Sequence, residues 1–567
     1  MKKQIKNFLA LFITISLITS CNSQTTKKTN IKPKKSISEA ISIISNATIK
    51  ETITYYYKLK KEQPNNYNFS DKNELNNLGY KYLNKEEIKN AIEIFKLLVS
   101  EFPNSENAYD SLGEAYYKDG NMPLALKNYQ KSLQLNPKNS NAEEWIVSIS
   151  YKIRERPKFN QIFTKQQYLE DMDEMAQRIT KKHNNPFEFI TEDAFNELVE
   201  TQKSKIKDGM TYKEFIWELS PIIASIACEH SHLNYFNQED DMLPIEFRFP
   251  IEAEIVNDRL LVTNAHVNEN KVVKGNTITS INGKSISEIT KSIFKHISAN
   301  GHTPPRKNTT FSAYITSYIP YYFKFPTTYT ITLENSQQPI PLVQLKEFEY
   351  TPINNKSSFE IIEEKYYAKF RIPYFGAFGG KKLTEFKTFL EASFKELKEK
   401  KVINLIIDLR RNGGGCSCGA IPLLQYIAKK PFTYFDKNSP LPGDLSEGGE
   451  QLPMKNHFIG TTYVLVDGFV GSTGGHLASV IKTNAIATLI GEETGSSYYA
   501  NGGMQQHLGT NTAVMYYIST GETNFTMATS LPRNRGVLPD HYVYKTSKDI
   551  LDNKDVQMEY VLKLIEE

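Results

Sequence analysis

Cysteine is scarce in this chain, with four in 567 residues, and that excludes a fold held by a disulfide framework. An excess of one charge is missing too. Against 68 basic residues stand 64 acidic ones, for a formal net charge of +4. Much of that excess sits in the N-terminal lysines, so a nucleic-acid-binding face is not expected. Beyond the N-terminus no run approaches the ~20 apolar residues of a membrane span. Nucleotide-binding and haem signatures are also absent, and neither a cofactor nor a resident metal is expected. Core-forming material, by contrast, is plentiful. The chain is 40% apolar and 12% aromatic, and its length suits roughly three to four domains.

The N-terminus reads as a targeting segment. Lys2, Lys3 and Lys6 precede an apolar run from Phe8 to Leu17, which leads into Leu17-Ile18-Thr19-Ser20-Cys21. A basic stretch followed by a short apolar one is the pattern of a secretory signal. The final residues resemble a bacterial lipobox, with Ile18 where leucine is commoner. That resemblance implies loss of residues 1–20 and lipidation of Cys21. The mature chain would then be a body anchored by lipid at the bacterial cell envelope, on the outer membrane or the periplasmic face. An ordinary secretory signal is the alternative. Residues 21–38 are polar and lysine-rich and read as a flexible tether.

A repeat follows. Leu78, Gly79, Tyr82, Ala91, Phe95 and Pro103 recur at a constant spacing of 34 residues as Leu112, Gly113, Tyr116, Ala125, Tyr129 and Pro137. The period and the residue types resemble tetratricopeptide repeats, in which small residues let paired helices approach and proline ends each unit. A helical domain over 39–155 is expected, with Trp145–Lys152 capping one end and Ile41–Leu59 packing on the other. It would serve as a spacer or as a groove for a protein partner.

Residues 159–240 read as mostly helical, with helical apolar spacing in Tyr168–Ile179 and Phe215–Ile226, and they contain Cys228-Glu229-His230-Ser231-His232. Residues 241–345 turn to strands, beginning with the alternating Ile245–Phe249 and then Leu260–Val262. Gly275-Asn276-Thr277-Ile278-Thr279-Ser280-Ile281-Asn282-Gly283, followed by a helix from Ser287, resembles the second half of a PDZ domain, a module that binds extended peptides at a sheet edge. Residues 350–567 alternate strands and helices and should form an α/β core.

Two glycine turns in that core carry the chemistry. Asp408-Leu409-Arg410-Arg411-Asn412-Gly413-Gly414-Gly415 follows the β-branched run Val402–Ile407, and Gly471-Ser472-Thr473-Gly474-Gly475 follows Tyr463–Val466. Strand, glycine turn and helix together expose a serine hydroxyl at a helix N-terminus and leave backbone N–H groups free for an oxyanion. This pairing of turns resembles the S41 serine peptidases, which include the C-terminal processing and tricorn-type enzymes. The resemblance spans roughly residues 160–567 and implies an α/β core of crotonase-like βα units. It also implies a multidomain serine endopeptidase acting through an acyl-enzyme on polypeptide substrates. Ser472 would be the nucleophile, with Thr473 and either Gly413 or Gly414 lining the oxyanion hole.

A hydroxyl nucleophile needs a base, and the family uses two. In processing peptidases a lysine follows a G-E-x-T turn. Here that turn is Gly491-Glu492-Glu493-Thr494, and Ser496 and Ser497 stand where the lysine would fall. The tricorn-type motif D-G-H-[ST] is resembled by Cys228-Glu229-His230-Ser231, which makes His230 the expected base. His232, His302 in Asn300-Gly301-His302-Thr303, and His476 are its rivals. Tricorn-type enzymes place a glutamate before a G-V-x-P-D segment. The segment is present as Gly536–Asp540, but Arg533, Asn534 and Arg535 precede it. Glu522 and Asp540 are the remaining candidates to orient the histidine. Cys228 could bridge to Cys416 or Cys418, join His230 or His232 at a zinc, or simply fill space. The missing lysine and glutamate keep a second function open, that of an inactive peptide-binding or scaffolding envelope lipoprotein.

Overall fold

The computed structural model describes residues 34–43, 47–153, 157–233, 243–301, 303–348, 356–362, 367–376, 380–436, 448–499, 502–521 and 531–567. Cys21, His302 and Glu522 lie outside them. The chain divides into two compact units, 1–139 and 140–567. No described helix is long and apolar enough to cross a membrane.

Among its described residues the first unit is built of helices: α1 (Ile37–Ser42), α2 (Ile49–Glu62), α3 (Lys72–Asn84), α4 (Ile88–Glu101), α5 (Glu106–Lys118) and α6 (Met122–Leu135). Helices α3/α4 and α5/α6 are the two repeats, and their matched residues Leu78, Ala91, Phe95, Leu112, Ala125 and Tyr129 are buried. Gly79 is needed because a Cβ there would stand 2.3 Å from the Phe95 ring. Helix α2 closes the expected end, its Tyr56 hydroxyl donating to Glu101 on α4 at 3.0 Å.

The second unit begins with α7 (Ser140–Ile153). This helix was expected to cap the repeats, but its Val147 and Tyr151 pack on the core of the second unit. Next come α8 (Lys165–Lys182), α9 (Glu192–Lys203) and α10 (Tyr212–Ala224), and then the short strand β1 (His232–Leu233). The sheet that follows holds β2 (Glu252–Val256), β3 (Arg259–Asn264), β4 (Thr277–Ile281) and β5 (Lys284–Ser285), with helices α11 (Ile286–Ile293), α12 (Pro304–Ala313) and α13 (Ile315–Tyr322), and β6 (Thr330–Leu333) and β7 (Ser336–Pro341). Its strand order is β2-β3-β4-β6-β7, and β5 forms a hairpin with β4. Asn282 (φ 46) and Gly283 (φ 77) supply the two positive φ angles of that hairpin, as a tight primed turn requires. Ile245–Phe249 is not a strand. Proline on both sides, Pro244 and Pro250, removes ladder donors, and the segment forms a 3₁₀ turn at Ile245–Phe247. The outer edge of β2 is engaged as well, because the Ile255 N–H donates to Ser312 Oγ of α12 at 2.9 Å. Helix α12 thus lies where an added peptide strand would pair.

The α/β core contains β8 (Ser358–Ile362), β9 (Tyr367–Arg371), α14 (Gly380–Glu399), β10 (Asn404–Asp408), α15 (Ser417–Ile427), the pair β11 (Phe432–Thr433) and β12 (Glu450–Gln451), β13 (Thr461–Val466), α16 (Thr473–Thr483) and β14 (Thr488–Gly491). It ends with β15 (Gly502–Leu508), β16 (Met515–Gly521), β17 (His541–Tyr542), α17 (Ser547–Leu551) and α18 (Val556–Glu566). The main sheet runs β17-β14-β13-β10-β9-β8, parallel except for the edge strand β8. Leu405, Ile406 and Ile407 of β10 are wholly buried, as expected where helices cover both faces of a parallel sheet. Neighbours β10 and β13 are in register, Asp408 opposite Leu465. Both glycine turns therefore leave the sheet side by side at the carboxyl ends of their strands, where open α/β sheets place their sites.

Candidate active site

The register brings the two turns into contact. The Gly471 N–H donates to the Asn412 carbonyl at 3.0 Å, and the Thr473 hydroxyl donates to the Gly415 carbonyl at 2.5 Å. Gly414 (φ 108) packs directly on the serine, since a Cβ there would lie 2.6 Å from Ser472 Cβ. The polar residues of the first turn brace it. Arg410 grips Asp408 with two hydrogen bonds of 2.9 Å and reaches Asp555 at 2.6 Å. The Asn412 side chain donates to the Ile372 carbonyl at 2.7 Å and accepts the Gly414 N–H at 2.8 Å.

Ser472 is the N-cap of α16, with φ 50 and ψ −129. A non-glycine residue held there costs about 1–3 kcal/mol and needs surroundings that over-determine it. Two acceptors of the Ser472 N–H provide that hold, Ser496 Oγ at 2.6 Å and Glu229 Oε1 at 3.1 Å. The strained turn aims Ser472 Oγ at His230 Nε2, 3.0 Å away. These residues are 242 positions apart, and the sheet β1-β16-β15 accounts for their meeting. His232 pairs with Tyr517 in that sheet, and Ser231 Oγ accepts the Ser519 N–H at 2.9 Å. On the other side the Ala227 carbonyl accepts the Gly301 N–H at 2.9 Å.

Burial is the main cause that lowers the His230 pKa. The Glu229 carboxylate works against it and Arg306 adds to it, so the ring is neutral at neutral pH, the form a base must have. With Nε2 facing the serine, the proton sits on Nδ1, which is buried without a hydrogen-bond partner among the described residues.

Glu229 was not anticipated from sequence, yet its carboxylate accepts directly from the serine's N–H. Its Oε1 accepts from Asn300 Nδ2 at 3.0 Å and from the Ser496 hydroxyl, in addition to the Ser472 N–H. Burial alone would raise its pKa, but Arg306, His230 and these hydrogen bonds outweigh it and hold the group below the usual range. Arg306 Nε lies 3.8 Å from Oε2. Ser496, standing where a lysine was sought, and Asn300, from the motif around His302, were the visible signals of this network.

The other expected residues are elsewhere. Asp540 pairs with Lys482 in the last turn of α16 and accepts the Leu489 N–H at 2.8 Å. At ~1.5 Å per residue, that is a helix length away from Ser472. His232 Nδ1 bonds to the Glu229 carbonyl at 3.1 Å, and His476 Nε2 to the Tyr434 carbonyl at 2.9 Å, so both face away from the serine. Among the loop N–H groups, that of Gly414 is taken by Asn412. Those of Thr473 and Gly413 have no partner among the described residues. Cys416 and Cys418 form a disulfide with each other, and Cys228 is buried outside it. No described group of three His, Cys, Asp or Glu side chains is placed to hold a metal.

A serine on a strained strand–turn–helix elbow, facing a buried neutral histidine at the carboxyl end of a parallel sheet, is the architecture of a serine hydrolase. Residues 367–543 match the model of peptidase family S41 and residues 106–139 that of the tetratricopeptide repeat. The chain therefore carries a serine-type peptidase domain of family S41 beside a tetratricopeptide unit. No curated protein matches the sequence. Among solved structures, mature CPAF is similar with a TM-score of 0.52 at 11% identity, covering 71% of this chain and 97% of its own. The photosystem II D1 C-terminal processing protease matches with a TM-score of 0.36 at 12% identity, covering 71% and 98%. Tricorn protease matches with a TM-score of 0.32 at 15% identity, covering 71% and 37%.

Proposed function

We propose that this protein is an endopeptidase that cleaves polypeptides through an acyl-enzyme on Ser472. The 3.0 Å contact between Ser472 Oγ and His230 Nε2 carries this reading. His230 takes the hydroxyl proton as Oγ attacks the scissile carbonyl, and it returns that proton to the leaving amine. The N–H groups of Thr473 and Gly413 receive the oxyanion. Water then attacks the acyl-enzyme with His230 again as base. The tetratricopeptide unit engages a protein partner, and lipid on Cys21 tethers the enzyme at the cell envelope.

Labelling with a fluorophosphonate probe tests the nucleophile. A soluble form (residues 22 on) is expected to label, and Ser472→Ala is expected to abolish the signal. A folded wild type that stays unlabelled would overturn the reading and favour an inactive binding protein, which His230 Nδ1, without a partner among the described residues, also suggests. For the tether, labelled palmitate should enter the wild type and not Cys21→Ala. Equal incorporation in both would remove the anchor.

A further inference from the structure

The two oxyanion donors come from different turns, the Thr473 N–H from the nucleophile turn and the Gly413 N–H from the loop after β10. Their separation is a tertiary distance, and it has to be held. The flanks of the loop are firm. On one side the Asn412 side chain is fixed to the Ile372 carbonyl at 2.7 Å. On the other the Cys416–Cys418 disulfide closes the start of α15, whose N-cap is Cys416. Between them stand Gly413, Gly414 and Gly415, and the last two have φ 108 and φ 121. Glycine permits the close approach needed here, since a Cβ on Gly414 would lie 3.0 Å from Thr473 N. It also leaves the backbone free to turn, so hydrogen bonds from outside must fix these peptide planes.

The links to the nucleophile turn are unevenly spread. Upstream of Gly413 they are doubled. The Arg411 N–H donates to the Asp467 carboxylate at 3.1 Å, and the Gly471 N–H donates to the Asn412 carbonyl at 3.0 Å. The Gly414 N–H and carbonyl bond to Asn412 Oδ1 and the Phe375 N–H, neither of them in that turn. Downstream, the link among the described residues is the Thr473 hydroxyl, which donates to the Gly415 carbonyl at 2.5 Å. That bond requires a hydroxyl on the very residue that supplies the other oxyanion donor.

We propose that the Thr473 side chain is a positioning group that sets the spacing of the two oxyanion donors. The residue serves the hole twice. Its N–H meets the oxyanion, and its Oγ1 holds the loop whose Gly413 N–H meets the same oxygen. Without the hydroxyl the Gly415 carbonyl loses its donor, the glycines turn, and the Gly413 N–H moves off the oxyanion. Full negative charge develops on that oxygen only as the bond to Ser472 forms, so the loss falls on kcat and not on substrate binding.

The inference rests on the peptidase reading, and the test separates the two. Thr473→Val keeps the branched shape without the hydroxyl, and Thr473→Ser keeps the hydroxyl without the methyl. On dye-labelled denatured casein, Thr473→Val should lower kcat by about 10–100-fold, less than the loss of a whole oxyanion donor. Its KM should stay within about twofold of wild type. Fluorophosphonate labelling also builds charge on an oxygen in the hole, and it should slow by about tenfold or more. Thr473→Ser should return both rates to within about threefold of wild type. Casein binding to Ser472→Ala, read by fluorescence polarisation, should not change when Thr473→Val is added. Melts identify loss of fold, and Thr473→Ala carries the same expectations should the valine variant not fold. Wild-type rates in folded Thr473→Val would overturn the positioning role. So would an equal loss in Thr473→Ser, which would point to methyl packing, or a casein affinity that falls in step with kcat. In each of these cases the wild type still labels and cleaves, and the peptidase reading stands. A wild type that does neither removes that reading, and this inference with it.

Discussion

Ser472→Ala, His230→Ala and the double variant are each expected to lower kcat on dye-labelled denatured casein by about 10⁴–10⁶-fold, to one shared residual rate. The shared floor follows from how the pair works. Neither half is of use alone, because a serine without its base stays protonated and a base without its serine has no proton to take. Their losses therefore do not add. What remains comes from the oxyanion donors and substrate binding, which neither substitution touches. Folding should survive, since His230 makes no other hydrogen bond among the described residues and Ser472 is anchored through its backbone N–H. Circular dichroism and a melt would confirm that. A His230→Ala variant within tenfold of wild type would move the base elsewhere, and with His232 and His476 committed to backbone carbonyls, no other histidine named here lies in place among the described residues.

The two glycine turns were legible because their signals are local, each a β-branched run, a glycine cluster and an apolar helix within about twenty residues. The repeat was legible for a similar reason, since Gly79 and Gly113 recur at fixed offsets and each faces a partner-helix ring. Contacts set by tertiary register were not. Glu229 looked like a departure from a motif, and only the Ala227–Gly301 and Ser231–Ser519 hydrogen bonds place its carboxylate under the nucleophile. Asp540 was expected near His230 from its segment alone, but its partners are Lys482 and Leu489 at the far end of α16. The cysteines show the limit of inference from proximity. All three lie in the catalytic unit, yet the disulfide joins Cys416 to Cys418, two residues apart. Ile245–Phe249 alternates like a strand, but the flanking prolines decide its conformation.

Glu229→Ala should lower kcat by about 10²–10³-fold while leaving Ser472 chemically intact. The substitution strips the common acceptor from Asn300 Nδ2, the Ser496 hydroxyl and the Ser472 N–H. Asn300 Nδ2 and the Ser496 hydroxyl lose their acceptor, and each buried donor left unpaired costs about 1–3 kcal/mol, while the Ser472 N–H keeps only Ser496 Oγ. The Ser472 N–H is part of what holds the turn at φ 50, so the turn relaxes, and a shift near 1 Å in the nucleophile suffices for ~10²-fold. Glu229→Gln separates this positioning role from the electrostatic one. Its amide oxygen keeps an acceptor for the same donors, so the fall in kcat should be small. The missing negative charge removes the influence that raises the His230 pKa, and the acid limb of kcat/KM should move to lower pH. Arg306→Met removes a charge that lowers that pKa, and its acid limb should move to higher pH. Opposite displacements in the two pH profiles would tie Glu229 and Arg306 to the base through charge. Unmoved profiles, with stability alone reduced, would make Glu229 a structural residue only.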